Sequence, residues 1–132
     1  MSKDEYDLED RLLEYSVQII KLVDTLPITR AGNHIAGQLL RSGTSPLPNH
    51  GEAQAAESRS DFIHKFQICL KELRESHRWL RLMMRIPLIE PKSRGASLLM
   101  ETEELIRIFV ASIRTARKGT SKLLHQNKSS SL

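Results

Sequence analysis

Apolar residues recur at helical spacing through four stretches of this chain, and prolines and a glycine punctuate them. At 100° per residue, Leu8, Leu12, Tyr15, Ile19, Leu22, Val23 and Leu26 share one face. No stretch alternates with a period of two. Leucine occurs 19 times and valine three, which favours helix over strand. The expected class is therefore all-α. At 132 residues the chain is one domain by length, with enough residues for a single core.

The breaks fall at Pro27, at Pro46 with Pro48, at Pro87 with Pro91, and at Gly119. Each can end or kink a helix. The first helix is expected over 5–26. Besides its main stripe it carries a second one, Tyr6, Leu13, Val17 and Ile20, about a third of a turn away. Apolar residues on two sides point to burial on two sides, hence to an oligomer. The second helix is expected from Thr29 to Ser45, kinked or restarted at Pro46 and ending near Glu57. Ser58 with Asp61 reads as a capping box for the third helix, and Ser60 is the alternative cap.

The third helix, about 60–86, carries the most information. Phe62, Phe66, Leu70, Leu73, His77, Leu80 and Met84 are its expected core stripe. Ile68, Trp79, Met83 and Ile86 fall on another side and form a candidate interface with a second copy. Arg74, Arg78, Arg81 and Arg85 follow an i, i+4, i+7, i+11 spacing and line up on one face. The fourth helix is expected over 92–118, with Leu98, Leu99, Leu105, Ile106, Phe109 and Ile113 inward. Arg107, Arg114 and Lys118 lie on its far side, and Gly119 is placed as its C-terminal stop. Residues 1–119 would be the bundle domain, and 120–132 a flexible basic and polar tail. Short connections between four helices point to an antiparallel up-down bundle.

Composition excludes several classes. No apolar run approaches the roughly 18 residues of a membrane span. The N-terminus, MSKDEYDLED, is acidic where a secretory signal would be basic and then apolar. The single cysteine, Cys69, rules out an intrachain disulfide and any paired-cysteine metal motif. Cytoplasmic location follows as the expectation. The five histidines form no HExxH pattern, and no phosphate-cradling glycine loop or nucleophile elbow is present. No cofactor, no metal and no enzymatic activity are expected.

Charge is unevenly divided. Residues 1–66 hold 7 Lys+Arg against 10 Asp+Glu, and residues 67–132 hold 13 against 6. An acidic front and a basic back suit either contacts between copies or a polyanion. The arginine row is self-repelling, by a few tenths of a kcal/mol per neighbouring pair. It is either a solvated face balanced by Glu72, Glu75 and the acidic first helix, or a phosphate-binding surface. Arg107, Arg114, Lys118 and Lys122 are a second basic patch, explained either by the helix dipole or by nucleic acid. Aromatic residues are 5% of the chain, too few for a base-stacking platform. Any nucleic-acid recognition is expected to read backbone and shape. Arg41, Ser45, Asn49 and Glu52 share a face if the second helix stays regular, and are expected to form a buried register-fixing network, the alternative being a small-ligand site.

Residues 38–80 combine Arg41-Ser42, Ser45, Asn49, Glu52-Ala53, Ser58, Asp61-Phe62 and Leu70-Lys71-Glu72-Leu73. In these the chain resembles the four-helix-bundle family encoded in 23S rRNA intervening sequences. The Leu26-Pro27 closure and the Ala111-Ser112-Ile113 region also fit. Leu47-Pro48 and His50 depart from the family pattern. The resemblance implies an up-down bundle assembled as a ring, typically a homopentamer. It also implies likeness to the accessory protein of diversity-generating retroelements, which engages a reverse transcriptase and nucleic acid. The leading expectation is a non-catalytic, RNA- or ribosome-associated protein using Arg74, Arg78, Arg81, Arg85, Arg107, Arg114 and Lys118. The rival is a scaffold for a client enzyme such as a reverse transcriptase. Tyr6, Leu13, Ile20, Ile68, Trp79, Met83 and Ile86 would join the copies.

Overall fold

The computed structural model describes the backbone of residues 3–86, 88 and 92–130, and side chains within residues 8–119 of that span. All regular structure among these residues is helical: α1 Lys3–Val23, α2 Arg30–Thr44, α3 Pro46–Gln54, α4 Arg59–Arg85 and α5 Lys92–Ser130. The helices α2 and α3 form one kinked rod, giving a four-helix protein. Ser45 keeps helical angles (φ −63°, ψ −38°). Its N–H reaches the Arg41 carbonyl at 3.1 Å, and its own carbonyl accepts from Asn49 N–H at 3.3 Å. Pro46 has no N–H, so one rung of the ladder is lost there and the rod bends without stopping.

Two helix starts are set by hydroxyl caps. Gly32 N–H donates to Thr29 Oγ1 at 3.0 Å, and Asp61 N–H donates to Ser58 Oγ at 3.0 Å. Ser58, not Ser60, is thus the cap of α4. At the end of α4, Ile86 N–H meets the Leu82 carbonyl and Leu88 N–H meets that of Met83. Gly119 does not stop α5, whose helical backbone continues to Ser130.

Each rod buries one seam. All seven expected core residues of the first stretch are buried, six on α1 and Leu26 just past its end, and Ser16 joins them. The seam of α4 is Phe66, Cys69, Leu73, Ser76, Leu80 and Met83, alternating steps of three and four. This corrects the expected stripe by a partial rotation. Phe62, Leu70 and Met84 pack at its edge, and His77 leaves the core to meet Glu103 Oε1 at 3.1 Å. Met83, expected on a surface between copies, is fully buried. The rotation follows from Cys69 and Ser76, small side chains that let neighbouring rods approach.

The four rods form a square. The rods α1 and α2, α2 and α4, α4 and α5, and α5 and α1 touch, while the α1 and α4 backbones do not. The contacts of α4 with its two neighbours run in opposite order along the chain. Along α4 and α5, Arg59 reaches the Ala116 carbonyl and His77 reaches Glu103. Along α2–α3 and α4, Ser42 pairs with Ser76, Cys69 with Pro46, and Glu52 with Lys65.

A polar layer crosses the middle of the core with one residue from each rod. Thr102 Oγ1 donates to the Leu98 carbonyl at 2.7 Å, which leaves Tyr15 OH to donate to Thr102 Oγ1, also at 2.7 Å. Ser76 Oγ donates to the Glu72 carbonyl at 3.0 Å, so Ser42 Oγ is the donor in the 2.8 Å Ser42–Ser76 pair. Ser76 also interacts with the Tyr15 hydroxyl, and burial pushes that phenol up to about 12. These four residues, not the expected polar face, supply the buried register-fixing bonds.

Candidate functional site

The expected face of Arg41, Ser45, Asn49 and Glu52 is divided by the structure into three local contacts. Arg41 is exposed and clamps α4 through Glu72, at 2.9 Å, and through Glu75. Asn49 Nδ2 donates to Ser45 Oγ and to the Ser45 carbonyl, both at 3.0 Å. Glu52 pairs with Lys65 at 2.6 Å and raises the pKa of that ammonium. The face holds α2 and α3 onto α4 from outside. It is not a buried network, because the kink lies in its middle.

The pairing of Glu72 and Glu75 with Arg41 bears on the arginine row. Glu75 also accepts from Trp79 Nε1 at 3.1 Å. The carboxylates expected to balance the row therefore face α2. Arg74, Arg78, Arg81 and Arg85 are all exposed. None makes an ion pair among the described residues, and Arg78 donates only to the Arg74 carbonyl, at 3.4 Å. The row runs from Arg74 to Arg85, 11 steps along one helix, about 16 Å at 1.5 Å per residue. The lower half of the row borders a groove between α4 and α5, lined by Arg78, Arg81, Leu82, Met84, Arg85 and Leu99.

The second basic patch lies elsewhere. Arg107 pairs with Glu104 at 3.3 Å and sits in a cleft with Met100, Glu101 and Glu103. It is neutralised and does not extend the row. Arg114 and Lys118 are exposed, near Arg59 at the start of α4, whose guanidinium reaches the Ala116 carbonyl. Leu99 and Arg114 are 15 residues apart on α5, about 22 Å. Glu103 and Glu104 lie between the two basic regions. Six of the seven expected cations thus form two sites at opposite ends of α4 and α5, with Glu103, Glu104 and the neutralised Arg107 between them. Arg59 belongs with the second and was missed because it reads as a helix-start residue.

Of the expected copy-to-copy contacts, Leu13 and Ile20 are exposed, at 50% and 44%, and so is Ile86, at 48%. Ile68 is half-buried. Trp79 is half-buried as well, edge-on to His34 with ring centroids 5.9 Å apart, so it is already partnered inside the chain. The Tyr6 side chain lies outside the described residues. Cys69 is buried and its thiol donates to the Pro46 carbonyl at 3.5 Å. Burial pushes that thiol up to about 12. Among the described residues no cluster of three His, Cys, Asp or Glu could hold a metal, and no helix is long and apolar enough to cross a membrane.

A square of four rods with an outward arginine row on one and exposed leucine and isoleucine on the diagonal one defines a small helical-bundle protein with segregated faces. Residues 5–111 match the family model described as 23S rRNA-intervening sequence protein, and the chain belongs to that family. Among solved structures it is similar to a protein of unknown function from the S23 ribosomal protein family of Bacteroides thetaiotaomicron VPI-5482. The two are 34% identical with a TM-score of 0.76, over 83% of this chain and 97% of that one. No curated protein matches significantly.

Proposed function

We propose that this protein is a non-catalytic RNA-binding protein of the cytoplasm, which holds phosphates on the outer face of α4. One observation carries the reading. Four arginines stand in line without an ion-pair partner among the described residues, while Glu72 and Glu75 of the same helix are tied to Arg41 and Trp79. Such a row costs self-repulsion in the free protein, and a polyanion relieves it. Arg114, Lys118 and Arg59 form an accessory site at the other end. Arg107 has no part in it.

The row is multiplied if copies assemble, and the exposed Leu13 and Ile20 of α1 support assembly on the side away from α4. A ring of up-down bundles, the arrangement the family resemblance implies, would repeat the row around its rim and add weak contacts through avidity. The test is binding of nucleic-acid-free protein to a structured rRNA fragment between 50 and 300 mM salt. Tight binding with a steep salt slope is expected. Replacing Arg74, Arg78 and Arg81 together by Glu should lower that slope by about two to three. An unchanged slope removes the reading and turns the search to a client protein such as a reverse transcriptase.

A further inference from the structure

We propose that the groove between the end of α4 and the start of α5 is a nucleotide slot. It would take one unit of single-stranded RNA, with the phosphate on Arg78, Arg81 and Arg85 and the base against Leu82, Met84 and Leu99. The inference rests on the RNA-binding reading and adds to it the form of the ligand.

The groove has a volume of about 480 Å³, within the ordinary range for small-ligand sites. Its composition is divided. Three guanidiniums supply positive charge, with no ion pair among the described residues. Among the described residues the remaining wall is apolar: Leu82 is 42% exposed, and Met84 and Leu99 are half-buried. A bare phosphate would use the rim and leave the apolar wall in water. A duplex keeps its bases stacked inward and would do the same. An unpaired nucleotide uses both parts, because its base can lie on aliphatic carbon and under a guanidinium plane while its phosphate is clamped. Aromatic scarcity therefore does not exclude base contact here.

An acidic peptide is the competing occupant. An extended acidic peptide would pair its carboxylates with the arginines and, like a bare phosphate, leave Leu82, Met84 and Leu99 in water. A docking helix needs anchors over i, i+3, i+4 and i+7, and this wall is about one turn of each helix. The slot fits a nucleotide better than either.

The experiment compares four probes at one salt concentration. They are a ten-nucleotide single-stranded oligoadenylate, a blunt RNA duplex of equal length, a polyphosphate of equal charge, and a glutamate-rich helical peptide with leucines at i, i+3 and i+7. The proteins are wild type, Leu82→Ser and Arg81→Glu. Leu82 is exposed enough for serine to leave the fold intact. The single strand should bind about tenfold tighter than duplex or polyphosphate, about 1.4 kcal/mol. Leu82→Ser should remove most of that advantage and leave polyphosphate binding unchanged, and Arg81→Glu should weaken both. Equal binding of strand and polyphosphate, or indifference to Leu82→Ser, overturns the slot while the arginine-row reading stands. No binding by any nucleic acid or polyphosphate overturns both. A peptide that binds tighter than the strand and depends on Leu82 assigns the groove to a protein partner and overturns the slot. So does adenosine monophosphate competing at micromolar concentration when a longer strand gains nothing over it.

Discussion

Gly43 sits where α2 comes closest to α1, and a Cβ there would lie 2.8 Å from two carbons of Ile19. Ile19 is fully buried and has nowhere to move. Gly43→Ala should therefore destabilise the fold by about 1–3 kcal/mol in urea titration, although alanine is the better helix former. At the same scale, Tyr15 and Cys69 make stability depend on alkaline pH. Their folded-state pKa values of about 12 stand above the ordinary 10.0 and 9.0. Between those limits the unfolded chain loses its protons first, so the folded state binds more of them. Stability is then complete below about pH 9 and falls as pH rises toward 12, by about 2–3 kcal/mol for Tyr15 alone. Urea midpoints measured from pH 8 to 11.5 should decline, and Tyr15→Phe should flatten the upper part of the curve. The small polar residues around Tyr15 were the least legible in the sequence. Ser42, Ser76 and Thr102 look like ordinary surface residues in a list, and only the seam shows that they face one another.

At the scale of elements, hydroxyl caps and prolines were readable because their chemistry is local. Ser58 caps where expected, Thr29 caps the helix expected to start there, and Pro46 bends its rod. Each cap satisfies an otherwise orphaned N–H at a helix start. Thr29→Ala and Ser58→Ala should each cost about 1 kcal/mol. The double variant should cost close to the sum, since the caps serve different helices. A double variant much worse than the sum would mean that α2 and α4 start cooperatively. What was not local was misread. The rotation of α4 depends on which neighbour it meets, and periodicity alone cannot tell Leu70 and His77 from Cys69 and Ser76 as core. Gly119 carries a stop signal, yet α5 runs through it, because a helical glycine is tolerated where a neighbour lies close. A Cβ at Gly119 would strike the guanidinium of Arg59.

For the whole molecule, the square arrangement decides which surfaces can work at once. The charge asymmetry of the chain was legible, but it does not become one basic face. The antiparallel meeting of α4 and α5 puts the row and the Arg114–Lys118 patch at opposite ends, with Glu103 and Glu104 between. The diagonal placement of α1 and α4 has a second consequence. Leu13 and Ile20 are exposed on α1, whose backbone does not touch that of α4, so the proposed self-association through α1 would not compete with the proposed anion binding through α4. The wild-type solution mass is expected to be several times 15.1 kDa. Leu13→Glu with Ile20→Glu should reduce it by light scattering without changing the helical circular dichroism, since both side chains are largely exposed. Trp79→Glu is the poorer test, because it removes the Glu75 bond and the His34 contact within the chain. A variant reduced to monomer should keep its affinity for a short single strand, where one slot suffices. It should lose affinity for a long structured RNA by about a hundredfold or more, the scale of lost avidity. Equal loss for both ligands would mean that the row is complete only between copies. A monomeric wild type would remove avidity from the account and leave a single row to provide all of the binding.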